Sequence, residues 1–153
     1  MTTTHPHWRY QAWDGLARDD VYAILSLRQR VFVVEHQRIC LDVDGDDRHA
    51  WHLWWSDADG SVLAYLRVFA PGTKYVEASI GRVVTAPEVR GTGVGRALMA
   101  EGLARIEAQH GPVPVRILAQ QYLSRFYGDL GFVPVSNELT IDNIPHIEMR
   151  RST

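Results

Sequence analysis

A glycine-rich segment, Arg90-Gly91-Thr92-Gly93-Val94-Gly95, stands between a predicted strand and a predicted helix. The first turn of a helix exposes backbone N–H groups that have no partner within the helix, and the helix dipole is positive at that end. Glycines before the helix let an anion approach the backbone because no Cβ is in the way. The arrangement therefore predicts a site that binds a phosphate-bearing ligand.

Two common phosphate-binding motifs do not fit this segment. A Walker loop requires Gly-Lys followed by Ser or Thr, and that sequence is absent. A dinucleotide fingerprint requires Gly-x-Gly-x-x-Gly and an acidic residue about 20 residues further on. The chain has Gly91-x-Gly93-x-Gly95 instead, and Arg116 stands where that acid would be sought. Nucleoside triphosphates and nicotinamide cofactors are therefore both disfavoured as ligands.

The elements around this segment follow from alternating and helical hydrophobic periods. Alternating or apolar runs predict strands over 7–13, 51–55, 62–69, 78–86, 115–119, 132–135 and 144–149. Apolar stripes at helical spacing predict helices over about 20–34, from the glycine segment to about 110, and over 122–130. Turn residues at 57–60 predict that the second and third strands form an antiparallel hairpin.

Residues 36–50 show no sustained period, which predicts a long exposed loop. The loop is acidic because it carries Asp42, Asp44, Asp46 and Asp47. These aspartates do not match a calcium loop, since Gly45 is misplaced and Leu53 occupies the position of the closing glutamate. We expect no metal site, and we expect the carboxylates to be solvated.

The composition is typical of a single globular domain spanning 1–153, with 46% hydrophobic and 22% charged residues. The formal net charge is -2, so the chain lacks the basic excess that nucleic-acid binding requires. A single cysteine, Cys40, excludes an intrachain disulfide. Residues 1–10 lack a signal-peptide pattern, and no apolar stretch reaches the roughly 18 residues of a membrane span. We expect a cytoplasmic protein without nucleic-acid or membrane partners.

Two ordered motifs resemble those of the GNAT superfamily of N-acetyltransferases. Arg90-x-x-Gly93-x-Gly95, which follows Ile80-Gly81-Arg82-Val83-Val84, is similar to the loop of that superfamily that binds the pyrophosphate of acyl-coenzyme A. Phe126-Tyr127-x-x-Leu130-Gly131-Phe132 is similar to its helix carrying a catalytic tyrosine. Within the superfamily the chain is similar to the ElaA-like acetyltransferases, through Leu27-Arg28-x-x-Val31-Phe32-Val33-Val34-Glu35, Asp42-x-Asp44-Gly45-Asp46-Asp47 and Ile144-Pro145-His146-Ile147-x-Met149.

The resemblance implies an α/β (α+β) fold with a mixed, mostly antiparallel sheet of six to seven strands flanked by helices. It implies that acetyl-coenzyme A is the co-substrate, bound at the glycine loop and between splayed central strands. The residues expected to contact this donor are Arg82, Val83, Val84, Arg90, Gly91, Thr92, Gly93, Val94, Gly95, Arg96, Gln120 and Tyr127. The implied activity is direct acetyl transfer to a primary amine of a small molecule, peptide or protein, within a ternary complex.

Such a reaction must deprotonate an ammonium, stabilise an oxyanion and protonate a thiolate. By resemblance, Tyr127 is the general acid. Glu35, His52 and His146 are alternative bases, and water chains are a further alternative route for the proton. Glu35 stands first because it ends the first helix where the acidic loop begins; its alternative role is as a structural partner of Arg28 or Arg38. The competing hypothesis is a non-catalytic module that senses acyl-coenzyme A. The sequence does not choose between a monomer and a homodimer.

Overall fold

The structure is a computed structural model that describes residues 6–153. Residues 1–5, part of the segment inspected for a signal peptide, lie outside it. The strands are β1 (Arg9–Ala12), β2 (Trp51–Ser56), β3 (Val62–Phe69), β4 (Ala78–Thr85), β5 (Val115–Gln120), β6 (Val133–Pro134), β7 (Leu139–Ile141) and β8 (Ile144–Arg151). The α-helices are α1 (Arg18–Arg28), α2 (Val94–His110) and α3 (Ser124–Gly128), and a π-helical segment, Gln29–Glu35, continues α1.

The strands form one sheet in the order β1-β2-β3-β4-β5-β8-β6, and β7 pairs with the remaining part of β8. Strands β4 and β5 run parallel, whereas the other pairs within residues 6–153 are antiparallel. The predicted mixed, mostly antiparallel sheet flanked by helices is confirmed, and so is the hairpin of β2 and β3. The sheet has eight strands rather than six to seven.

The additional strand is β7, which is too short for its period to be recognised in the sequence. It forms a hairpin with β8 through Asp142 and Asn143, whose φ angles are +49° and +63°. Both central residues of a tight hairpin turn of this kind lie in the left-handed region, which asparagine and aspartate tolerate better than most residues. The turn therefore explains why the chain reverses at this point.

The two faces of the sheet bury different helices. Helix α2 packs on the face that carries Leu53 and Leu66, and α1 packs on the opposite face against Trp54 and Tyr65. Helix α2 lies close to the sheet at Gly102, where a Cβ would be 3.0 Å from Cδ2 of Leu66. The first helix thus ends beside the C-terminal end of β4, which places Glu35 near the glycine segment.

Two irregularities open the sheet at its centre. Strands β4 and β5 pair through Ala78 with Val115 and Ser79 with Arg116, and within the described residues they form no further pairs before they diverge. Strand β4 then carries a bulge. The pairing with β3 advances by three residues of β4, from Gly81 to Val84, but by only two residues of β3. Arg82, inside the bulge, has a φ of +50°. The divergence and the bulge leave a cleft between the C-terminal ends of the two strands.

Candidate active site

The cleft between β4 and β5 has a volume of about 1240 Å³ and extends along the glycine segment. Its lining includes the following residues expected to contact an acyl donor: Arg82, Val83, Val84, Arg90, Gly91, Gly93, Val94, Gly95, Arg96, Gln120 and Tyr127. The twelfth expected residue, Thr92, does not line the cleft, and its hydroxyl donates a hydrogen bond to the carbonyl of Val89. The fold therefore brings together residues from two strands, a loop and two helices.

The glycine segment presents its backbone donors to this cleft. The first helical bond of α2 runs from the N–H of Ala97 to the carbonyl of Gly93, at 3.1 Å. Among residues 6–153, no protein acceptor binds the backbone N–H groups of 91–96. Gly91 and Gly93 have φ angles of +79° and +87°, which glycine adopts readily and which turn the chain into the helix. The segment can therefore offer several N–H groups and the positive end of the helix dipole to an anion.

Glu35 lies at the rim of the cleft, where it forms a bidentate ion pair with Arg90, with both N–O distances at 2.8 Å. Its structural partner is therefore neither Arg28 nor Arg38. Hydrogen bonds from the Arg90 guanidinium hold the pKa of the Glu35 carboxyl below its ordinary value. A lowered pKa makes the carboxylate a weaker base, and the pair also occupies the guanidinium that the sequence placed in the anion site.

Tyr127 is buried at the base of the cleft, and its ring makes edge-on contacts with Phe126 and Phe132. Burial raises the pKa of the phenol well above its ordinary value, so the hydroxyl is protonated at neutral pH. A protonated hydroxyl in a cleft has the state that a general acid requires.

The two histidines considered as bases occupy different environments. His146 lines the cleft from β8, opposite Gln120, and its Nδ1 lies 2.8 Å from the carbonyl of Ile144. Because a carbonyl can only accept, Nδ1 carries the proton and Nε2 of the neutral ring keeps a lone pair. This arrangement places an imidazole in the lining of the cleft.

His52 is buried outside the cleft, and both of its nitrogens are engaged. Its Nε2 lies 2.9 Å from the carbonyl of Asp47 and its Nδ1 lies 2.7 Å from the hydroxyl of Tyr65. The first contact requires an N–H donor at Nε2, so Nδ1 accepts from the tyrosine. Burial lowers the pKa of this imidazole, which stays neutral. His52 is therefore a structural residue and not the base of this cleft.

The acidic loop differs from its prediction, since three of its four aspartates bind arginines. Arg67 contacts Asp44 at 2.6 Å and Asp47 at 2.9 Å, and Arg28 contacts Asp47 at 2.7 Å. We call Arg28, Arg67, Arg82, Asp42, Asp44 and Asp47 the arginine–aspartate network. Its partners lie far apart in sequence, so the charge run alone did not reveal it. Asp46 fits the expectation of a surface carboxylate and pairs with Lys74 at 3.2 Å.

The network changes the ionisation of its members. Burial by itself raises the pKa of Asp47, but hydrogen bonds from Arg28 and the charges of Arg28 and Arg67 outweigh it, and the pKa lies below its ordinary value. The pKa of Asp44 is lowered in the same way, mainly by Arg67. These carboxylates are charged in the folded state at neutral pH, and each has a cationic partner.

The far end of the cleft is bounded by elements that the sequence did not connect. The loop after Glu35 contributes Arg38, which donates to Asp142 of the β7–β8 turn at 2.7 Å. Ile39, Leu41 and Ile141 line the same end. These two segments, from the loop after Glu35 and from the β7–β8 turn, therefore both contribute to the lining of the cleft.

Residues 6–153 contain neither a membrane-spanning helix nor a cluster of metal-binding side chains. No helix there is long and apolar enough to cross a membrane. No group of three or more His, Cys, Asp or Glu side chains there is arranged to hold a metal ion.

Comparisons with known proteins give concordant results. Residues 44–153 match the model of a family described as acetyltransferase (GNAT) domain. Over 149 residues the chain is 36% identical to protein ElaA of Escherichia coli K12, covering 94% of this chain and 95% of ElaA. The crystal structure of Escherichia coli ElaA matches with a TM-score of 0.89 and 33% identity, covering 97% of this chain and all of the other. That of an acyl-CoA N-acyltransferase from Pseudomonas aeruginosa matches with a TM-score of 0.91 and 39% identity, with the same coverage.

Proposed function

The chain belongs to the GNAT acetyltransferases and is ElaA-like, and from this premise we propose that it transfers the acetyl group of acetyl-coenzyme A to a primary amine by direct attack in a ternary complex. The observation that carries the proposal is the cleft itself. Diverging strands, a bulge and a helix N-terminus with free N–H groups meet along one channel. An acyl-coenzyme A has an anion, amide groups and a thioester in that same linear order.

The donor site is built from backbone groups. The N–H groups of 91–96 would hold the pyrophosphate, and the unpaired edge of β4 beyond Ser79 would pair with the pantetheine amides. Each hydrogen bond to a charged group is worth roughly 1.5–3 kcal/mol, so four supply roughly 6–12 kcal/mol, a range that includes the roughly 8 kcal/mol of micromolar affinity before association costs. The thioester would then lie near Gln120 and Tyr127, which line the inner part of the cleft.

The chemistry requires one base and one acid. We assign the base to Nε2 of His146, which removes a proton from the amine as the new N–C bond forms. Tyr127 then donates its proton to the departing thiolate as the C–S bond breaks. Glu35, expected first as the base, has a role that suits its lowered pKa: it attracts a cationic amine and holds Arg90 at the loop.

The first test is a thermal-shift titration of the purified protein with acetyl-coenzyme A, with ATP and NAD as controls. A ligand that binds only the folded state raises the apparent stability. We expect a shift specific to acetyl-coenzyme A, followed by thiol release on addition of primary amines from a panel. No shift at millimolar donor would refute the donor site. A shift without turnover on any amine would favour the sensor over the enzyme.

A further inference from the structure

We propose that Asp42 and Asp44 are positioning residues for the acyl donor, because through Arg82 they fix the bulge of β4 along which the pantetheine lies. The inference rests on the proposed function for the identity of the donor. It assigns a role in donor binding to the acidic loop, although this loop belongs neither to the glycine segment nor to the strands that line the donor site.

The bulge needs an external support. Arg82 has a φ of +50°, in the left-handed region that residues with a Cβ rarely adopt. A non-glycine residue keeps such a conformation only when the surrounding structure determines it. Neighbouring strands give limited support here, since β4 has already left β5 and its register against β3 shifts at this point.

The support comes from the side chain of Arg82. Its Nε lies 2.9 Å from Oδ1 of Asp42, and its Nη2 lies 3.1 Å from the carbonyl of Asp42 and 3.2 Å from Oδ2 of Asp44. These carboxylates are themselves held by two buried arginines. Arg28 donates to the other oxygen of Asp42 at 2.8 Å, and Arg67 donates to both oxygens of Asp44 at 2.9 and 2.6 Å.

The chain of contacts therefore links the bulge to buried groups. Arg28 and Arg67 each have only 1% of their surface exposed, and they lie in α1 and β3 respectively. The network contains three arginines and three aspartates, and each arginine contacts two of the aspartates, so removal of one carboxylate charge leaves three arginines to share two carboxylates. The bulge would then sample other conformations, and the fraction able to pair with pantetheine would fall.

The experiment compares two ligands of the same cleft. Acetyl-coenzyme A needs the bulge and the glycine loop, whereas its nucleotide part, 3′-phospho-ADP, needs the loop but not the bulge. Isothermal titration calorimetry gives Kd for both ligands with the unaltered protein and with Asp42→Asn, Asp44→Asn and Asp46→Asn. Asp46 is the matched control because it lies in the same loop but pairs with Lys74 at the surface.

We expect Asp42→Asn and Asp44→Asn to weaken acetyl-coenzyme A binding by about tenfold, as a tenfold fall in the competent fraction requires. The affinity for 3′-phospho-ADP should stay within about twofold, and Asp46→Asn should change neither value. Equal losses for both ligands, or no loss for either, would overturn the inference. If the unaltered protein binds 3′-phospho-ADP and acetyl-coenzyme A equally well, the bulge makes no contact and the inference also falls.

A second pair of variants covers the case in which an aspartate variant fails to fold. Arg82→Gln breaks the link to the loop but leaves the pairs of Asp42 with Arg28 and Asp44 with Arg67. It should reproduce the selective loss of acetyl-coenzyme A affinity, and Arg82→Lys should restore part of it. If Arg82→Gln binds acetyl-coenzyme A normally, the positioning role is wrong while the proposed function stands. Failure of the unaltered protein to bind acetyl-coenzyme A would instead refute the proposed function, and this inference with it.

Discussion

Replacement of Gly93 by aspartate tests the anion site directly. A Cβ at this position would meet no atom within 4 Å, so the new side chain projects into open space at the mouth of the cleft. Its carboxylate would lie beside the N–H groups at the start of α2 and would repel a bound pyrophosphate. For unit charges about 5 Å apart and an effective dielectric constant of about 20, Coulomb repulsion is about 3 kcal/mol.

This energy corresponds to a loss of about 100-fold in acetyl-coenzyme A affinity. The matched control is Gly93→Asn, which has the same shape and shares the strain of a φ of +87° but adds no charge. The ratio of the calorimetric Kd values of the two variants gives the effect of the added charge on affinity. Their melting temperatures show whether both variants are folded. Affinities of Gly93→Asp and Gly93→Asn within about threefold of each other would refute the electrostatic argument for this loop.

Three further predictions concern catalysis and stability. Tyr127→Phe should lower kcat for thiol release by about 100-fold or more with an unchanged Kd for acetyl-coenzyme A, and an unchanged kcat contradicts the general-acid role. His146→Gln should lower kcat/KM for thiol release by about 100-fold with an unchanged Kd for acetyl-coenzyme A, whereas such a loss in Glu35→Gln instead would return the base to Glu35. The free energy of unfolding should fall as the pH drops below about 4, because depressed carboxyl pKa values stabilise the folded state only above the pKa of the unfolded chain. Asp47→Asn should weaken this pH dependence and lower the free energy of unfolding at neutral pH by about 3 kcal/mol, measured by urea unfolding. An unchanged pH dependence of stability in this variant would contradict the role of the network.

Features that depend on neighbouring residues could be predicted from the sequence. The glycine segment is contiguous, and the periods of β3 and α2 extend over whole elements, so the strand, loop and helix around the anion site were each recognised. The π-helical segment Gln29–Glu35 is a local feature that was not predicted. The apolar run from Val31 to Val34 does not indicate that the winding changes.

Contacts between distant segments could not be predicted. Glu35 and Arg90 are 55 residues apart, and Arg82 and Asp42 are 40 apart. Charge alone does not choose among partners, because the chain contains 16 basic and 18 acidic residues. The choice is made by the fold, which brings the end of α1, the acidic loop and the bulge of β4 to one side of the cleft. For the same reason, the ion pair between Glu35 and Arg90 could not be predicted from the sequence.

Arg82 illustrates how a local cost and a distant contact combine. Glycine would adopt a φ of +50° with little strain, so the backbone of the bulge alone would be satisfied by glycine. An arginine at that position costs conformational energy, but its guanidinium contacts both Asp42 and Asp44 from β4. The side chain therefore does what the backbone cannot, since it ties the bulge of β4 to the acidic loop.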